Sequence, residues 1–465
     1  MVGLLFKMKD LTEGSVIRHL LHMASFMIVS MMAQTLYLLA DLYWVGALGK
    51  EAIAAVGVAG NLMMIVLALT QMLGVGTTAL IAQAAGRKDQ PHAEQVFNQS
   101  FVMSILIGLG FCILGFLVRD LYANSFSADL GTSVQAKAYL NWFIPALALQ
   151  FPLVTLGSAL RATGAIKPSV ALQVFSVVFN GILAPFLIRG IGPFPRMGVS
   201  GAALATFVAI LAADIGTVIY FEKKYHYLRF HLSQWSPQFK IWWTMLKIGI
   251  PAGAEFVMLS VYIGIVYVII RPFGAAAQAG FGVGGRLMQA MFLPVVALSF
   301  AVSPVVGQNF GGRKGDRVKH AVIAALAFAA GLMLVLAILT WLTAPILIRG
   351  FSHDPKVVAF GSEYLTIAAF NFVAAGIVFS SSSVFQGIGN TLPPLISSAS
   401  RLLLFALPAW LVSRTPGFDI RHVWYLSVVS QVVQACIILF LLKRELRHKL
   451  DFSGPVAGEL PPLQA

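Results

Sequence analysis

The stretch Gly49-Lys-Glu-Ala-Ile-Ala-Ala-Val-Gly57-Val58-Ala-Gly60-Asn-Leu62 returns about 225 residues later as Gly274-Ala-Ala-Ala-Gln-Ala-Gly-Phe-Gly282-Val283-Gly-Gly285-Arg-Leu287. Gly57, Val58, Gly60 and Leu62 meet Gly282, Val283, Gly285 and Leu287. The same offset carries Gln83 onto Gln308 and brings the Gly-Arg-Lys turns at Gly86 and Gly312 into agreement to within one residue. It also places Phe126-Ser-Ala-Asp129 on Phe351-Ser-His-Asp354, Tyr139-Leu140 on Tyr364-Leu365, Gly164 on Gly389 and Pro168 on Pro393. A single match would mean little in a chain rich in Gly and Ala. A constant register through helices and loops is the signature of an internal repeat.

What is repeated is membrane-spanning. Of 465 residues, 58% are hydrophobic and 11% charged, with mean hydropathy +0.84. A soluble protein carries roughly 25% charged residues. A bilayer core of about 30 Å needs roughly 20 apolar residues per helix, and such runs lie at 16–45, 53–82, 96–117, 139–160, 168–188 and 199–221. Six more lie at 248–270, 280–306, 318–348, 364–384, 392–412 and 423–442. Alternating strands of about 10 residues, the mark of a β-barrel, are not seen. The expected fold is all-α and integral to the membrane, with twelve transmembrane helices in two six-helix bundles. An even number of spans per copy gives both copies one orientation, so a pseudo-two-fold axis along the membrane normal relates them across a central cleft. The expected units are an amino-terminal lobe at 1–222, a linker at 223–240, a carboxy-terminal lobe at 241–446 and a tail at 447–465.

The first apolar segment is long, contains Asp41 and lacks a small-residue cleavage site after a short core, so it reads as a retained span and not a signal peptide. The net charge of +14 is a topology signal and not a nucleic-acid footprint, since 20 Lys and Arg fall on the side of the termini against 10 on the other. The positive-inside rule puts both termini in the cytoplasm of a bacterial-type inner membrane. Cys112 and Cys436 both fall in spans and read as inert thiols of the core. The chain has no phosphate-binding Gly-x-x-x-x-Gly-Lys loop, no His-Glu-x-x-His and no paired Cys ligands. An enzyme or an ATP-driven pump is not expected, and no cofactor is expected beyond a coupling ion.

Ionisable side chains inside a span are costly and mark functional positions. Here they are Asp41, Asp214, Glu255, Arg286 and Arg401, with Glu363 near an edge. Gln34, Tyr37 and Asp41 form an i, i+3, i+7 stripe on the first helix, and Gln173, Ser176 and Asn180 form another on the fifth, ahead of Pro185. A desolvated carboxyl with a neighbouring amide can load a proton, or hold Na⁺ among oxygen ligands. A helix-end acid at the membrane interface, and an amide that only joins helices, are the plainer readings. Glu255 shares a face with Tyr262, the repeat equivalent of Tyr37. A Glu255–Arg286 salt bridge is as strong an expectation there as a substrate site. Asp214 and Arg401 are expected to snorkel towards the interface, and Glu363 to be exposed.

With these features in view, the sequence resembles the multidrug and toxic compound extrusion (MATE) family over nearly its whole length. The resemblance is carried by Ala40-Asp41-Leu-Tyr-Trp-Val-Gly46-Ala-Leu-Gly49 leading to Ala54-Ala-Val-Gly57, Ala84-Ala-Gly-Arg-Lys88, Leu160-Arg161-Ala-Thr-Gly164 with Pro168, and Gln386-Gly-Ile-Gly-Asn390 with Pro393. It implies a V-shaped pair of bundles that expels amphipathic organic cations in exchange for H⁺ or Na⁺. It implies further that Asp41 couples the ion, with Asn180 and Tyr139 around it as in the DinF-like branch. That branch has a second acid where this chain has Ala184, and Phe26 stands where a first-helix Pro is expected. The resulting expectation is ion coupling at Asp41 and Asn180, with Na⁺ as the metal form, and substrate contacts at Gln34, Tyr37, Tyr139, Glu255 and Tyr262. The partners would be small organic cations and the lipid bilayer, with the protein a monomer. A lipid-linked oligosaccharide flippase of the same wider superfamily is the rival reading, disfavoured because Arg286 and Arg401 are the only Arg or Lys away from the ends of a span.

Overall fold

The structure, a computed structural model, describes residues 8–127 and 129–450, with the side chains of 37–42 outside the description. Thirteen α-helices follow one another: α1 (Val16–Gly46), α2 (Lys50–Gly86), α3 (Gln90–Phe126), α4 (Leu130–Ala162), α5 (Ile166–Arg189), α6 (Val199–Lys223), α7 (Phe239–Ile270), α8 (Ala275–Gly311), α9 (Gly315–Arg349), α10 (Pro355–Ala368), α11 (Asn371–Ile388), α12 (Leu392–Val412) and α13 (Ile420–Lys449). Among the described residues, twelve are long and apolar enough to cross a bilayer. Helices satisfy their own backbone groups, which lipid cannot do.

The repeat is written into the backbone. The first residues of α2 and α8, of α3 and α9, and of α4 and α10 all stand 225 positions apart. The Phe-Ser-x-Asp match has a local cause: Asp129 and Asp354 are both N-caps, the first accepting from Thr132 N–H and the second from Lys356 and Val357 N–H. The Gly-Arg-Lys turns agree as well. Among the described residues only Lys88 (φ 61°) and Arg313 (φ 55°) are non-glycine residues in the left-handed region, and they too are 225 apart.

The copies diverge in the fourth span. The span expected at 364–384 is two helices, α10 and α11, joined by a tight step in which Phe370 N–H bonds to Ile367 O at 3.2 Å. The equivalent position in α4 is Pro145, which stays inside one continuous helix of 33 residues. The break therefore carries no proline signal. α7 also runs unbroken through Pro251.

The two lobes, α1–α6 and α7–α13, meet at the end of the bundle that holds the described termini. There a Cβ on Gly86 would collide with the Gln308 carbonyl, and one on Gly311 with the Gln83 carbonyl. Gly76 also lies against a backbone of the other lobe, with the Met245 carbonyl 2.7 Å from its would-be Cβ. Only glycine lets the backbones approach this far. Leu11 N–H bonds to Gln308 Oε1 at 2.8 Å, and Arg161 stacks over Phe300 at 5.8 Å, so the joined surface is substantial. Towards the far end the lobes part. A Cβ on Gly57, Gly60 or Gly285 would meet nothing within 4 Å, and the equivalent pairs Asn61 and Arg286, and Met64 and Gln289, are exposed. The glycines thus divide between a closed half and an open one.

The segment between α6 and α7 is tied down more firmly than a loose connector. Asn98 and Gln99 of α3 bond to Arg229, His231, Gln234, Trp235, Ser236 and Gln238. Tyr225 is fully buried and donates to Thr163 Oγ1 at 2.6 Å, and burial drives its hydroxyl pKa upward. Cys112 is half-buried, but Cys436 is exposed, so the latter is not a core thiol as expected.

Candidate functional site

Each lobe holds a polar cluster among its helices, and the two are chemically different. In the first lobe α1 and α5 run side by side and in the same direction. Ser30, midway along α1, donates to Gln173, and Arg189 stacks on Trp44 at 4.6 Å near the end of both helices. Between these contacts, at about 1.5 Å rise per residue, the backbone of position 41 lies level with the stretch around Ala184, about one turn beyond Asn180. The side chains of Tyr37 and Asp41, the two central expectations from the sequence, lie outside the described residues.

Asn180 is buried and donates through Nδ2 to Thr206 Oγ1 of α6 at 2.9 Å. Thr206 donates in turn to Ala202 O at 3.2 Å. Tyr139 on α4 is buried, its ring 4.8 Å from that of Phe143. Ser176 and Ala184, on the same face of α5 as Asn180, are buried too. Gln34 is exposed and not drawn into this cluster. Thr206 was missed by sequence reading, because a Thr on an Ala-rich helix is indistinguishable from a packing residue.

In the second lobe the equivalents of Asp41 and Asn180 are Val266 and Phe405, both buried and apolar. Tyr262 of α7 donates to Ser427 Oγ of α13 at 2.8 Å, and Asn371 Nδ2 donates to the same oxygen at 3.2 Å. The Arg401 guanidinium of α12 stacks 4.3 Å from the centre of the Tyr262 ring, whose other neighbour, Phe405, is 4.7 Å away. Arg401 occupies the register position of Ser176 and lies on the face of α12 that buries Ser397, Phe405 and Ala409. It does not snorkel. The 225-residue offset applied to the polar stripe of α5 would have found it.

Glu255 is not brought to Tyr262. It turns to α11, where Ser382 Oγ donates to Oε2 at 3.1 Å, while Oε1 is buried without a hydrogen-bond partner among the described residues. The Glu255–Arg286 salt bridge does not form: Arg286 is exposed on the open half of α8. Facing charges on neighbouring helices is insufficient when their rotations point one inward and the other outward. Asp214 is a second correction. It is 8% exposed, and both carboxyl oxygens are buried without a partner among the described residues, so it does not reach the interface. Glu363 is half-buried and paired with Arg421.

The MatE family model matches residues 27–186 and 251–411, one match in each copy. The chain is similar to the probable multidrug resistance protein YpnP of Bacillus subtilis, 27% identical over 89% of this chain and 93% of that protein. It is also similar to a protein of Shewanella oneidensis named an FAD transporter, 25% identical over 86% of this chain and 89% of the other. Among solved structures, one described as the outward-facing conformation of a multidrug resistance MATE family transporter superposes with a TM-score of 0.87. It is 24% identical, over 95% of this chain and 98% of that one.

Proposed function

Since the chain belongs to the MatE family of membrane transporters, we propose that it is a secondary active exporter of amphipathic organic cations in antiport with H⁺ or Na⁺. Asp41 is the ion-coupling acid, with Asn180 beside it and Thr206 holding the Asn180 amide in place. Tyr139, Tyr37 and Gln34 extend this side of the cleft towards substrate, and Glu255 and Tyr262 belong to the opposite lobe. The observation that carries the reading is the asymmetry of the clusters. A buried Asn180–Thr206 pair lies about one turn from the level to which α1 brings position 41, whereas the same register in the second copy is Val266 and Phe405.

A carboxyl among helices is favoured in its neutral form by desolvation, and in its charged form by a bound cation. Loading an ion onto Asp41 therefore competes with an organic cation for the same negative charge. Exclusive occupancy by one or the other produces exchange, and each favours the lobe arrangement it fits best. Na⁺, as a hard cation, would take the carboxylate with the oxygens of Asn180 and Thr206; a proton needs the carboxylate alone. In this reading the basic, closed end of the bundle is cytoplasmic, and the arrangement described is the outward-open one. The protein acts as a monomer in the inner membrane.

Efflux of an aromatic cation from proteoliposomes, under an imposed pH gradient or an imposed Na⁺ gradient, tests both the activity and its ion. Asp41→Asn is expected to abolish exchange while the protein stays in the membrane. Full transport by that variant overturns the assignment.

A further inference from the structure

Among the described residues, Arg401 is a cation without a counter-ion. No carboxylate among the described residues pairs with it: Glu255 bonds to Ser382, Glu363 to Arg421, and Glu445 to Asn390 and Lys449. Among the described residues its Nε is buried without a hydrogen-bond partner, and neither Nη nitrogen donates to any of them. What holds the side chain is the face of Tyr262, fixed in turn by its bond to Ser427. A guanidinium stacked on a ring keeps its planar fork free to take two oxygens at once. Arg401 lies on the face of α12 that buries Ser397, Phe405 and Ala409, which turns the fork to the inner side of the lobe. The cost of leaving such a charge unpaired inside a membrane protein points to a ligand that supplies the missing anion.

We propose that Arg401, stacked on Tyr262, is an anion-binding site of the second lobe that takes a carboxylate or phosphate group carried on a planar aromatic solute. The assignment rests on the transport reading above and extends its substrate class. A molecule whose cationic end faces the first lobe could place an anionic group on the second. Ser176 in the equivalent register offers no charge, so only the second lobe discriminates by anion.

The test uses the full-length protein in nanodiscs and a matched pair of dyes, tetramethylrhodamine with its free carboxylate and its methyl ester. The quantity read is the ratio of the two equilibrium dissociation constants. In the wild type the carboxylate is expected to bind on the order of tenfold tighter than the ester, and in Arg401→Gln the ratio is expected to fall to about one. An unchanged ratio in Arg401→Gln overturns the proposal. So does a wild-type ratio near one, which needs no variant to fold. Comparing phosphatidylcholine with phosphatidylglycerol discs separates two sources of the anion. A preference preserved in both assigns the site to solute, and one lost only in phosphatidylglycerol assigns the same site to a lipid phosphate. Failure of the wild type to export the ester dye is a separate result and counts against the exporter reading alone.

Discussion

Gln83 and Gln308 make one hydrogen bond in two mirrored copies. Gln83 Nε2 donates across to the Gly387 carbonyl at 3.0 Å, and Gln308 Nε2 donates across to the Ala162 carbonyl at 2.8 Å. Both the glutamines and the carbonyls stand 225 residues apart. The bonds cross between lobes in opposite directions, so together they lock the closed end about its pseudo-two-fold axis.

Gln308→Ala is expected to loosen that end. It leaves the Leu11 N–H and the Ala162 carbonyl unsatisfied in the closed arrangement only. A cost of about 2 kcal/mol, or roughly a thirtyfold change in population, follows from the desolvation of such groups. Distances between spin labels near the ends of α2 and α8 should broaden towards longer values. An unaltered distribution would show that the glutamines do not hold the lobes.

Gly86→Val should be more severe. Its side chain meets the Gln308 backbone and cannot be accommodated by a rotamer change. The closed end is expected not to form, and export to fall to background while membrane insertion persists. Immunodetection in membranes with a dye-efflux assay checks both halves.

A double-mutant cycle separates the two partners considered for Glu255. Coupling between Glu255→Gln and Ser382→Ala is expected at about 1–2 kcal/mol, the range for a hydrogen bond to a charged or buried group. Coupling between Glu255→Gln and Arg286→Ala is expected near zero. Thermal denaturation of the detergent-solubilised protein measures both, and a larger second value would restore the salt bridge.

Thr206→Val removes the acceptor of the Asn180 amide inside the first lobe. A loss of roughly 1–3 kcal/mol in stability is expected, with ion-driven exchange falling further than binding of an aromatic cation. Equal losses in both would mark Thr206 as structural only.

Asn98→Ala should release the connector between the lobes, since this side chain bonds to Arg229, His231, Gln234 and Trp235. Amide exchange through 229–235 is expected to quicken by on the order of tenfold or more, read by mass spectrometry. The helices on either side should keep their protection.

Much of the molecule was legible along the chain. The bilayer forces each crossing to satisfy its own backbone, so span number and span order follow from local hydropathy. Duplication fixes the symmetry, and even the left-handed turns at Lys88 and Arg313 recur in register. The candidate acids were legible too, because charge in a span is rare. Their partners were not. Glu255 found Ser382, 127 residues away, and Arg401 found Tyr262 in place of the interface.

The sequence by itself determined twelve crossings, two copies and the family to which they belong. Tertiary structure alone decided which end is closed, that Asp214 is buried, and that the second lobe presents a cation unpaired among the described residues where the first presents Ser176. The reason is geometric. Hydropathy is a property of each segment, but the rotation of a helix about its axis is set by neighbours that are distant in the chain. In lipid that rotation is chosen by close packing and polar contact, with no hydrophobic force between helices to signal it in advance.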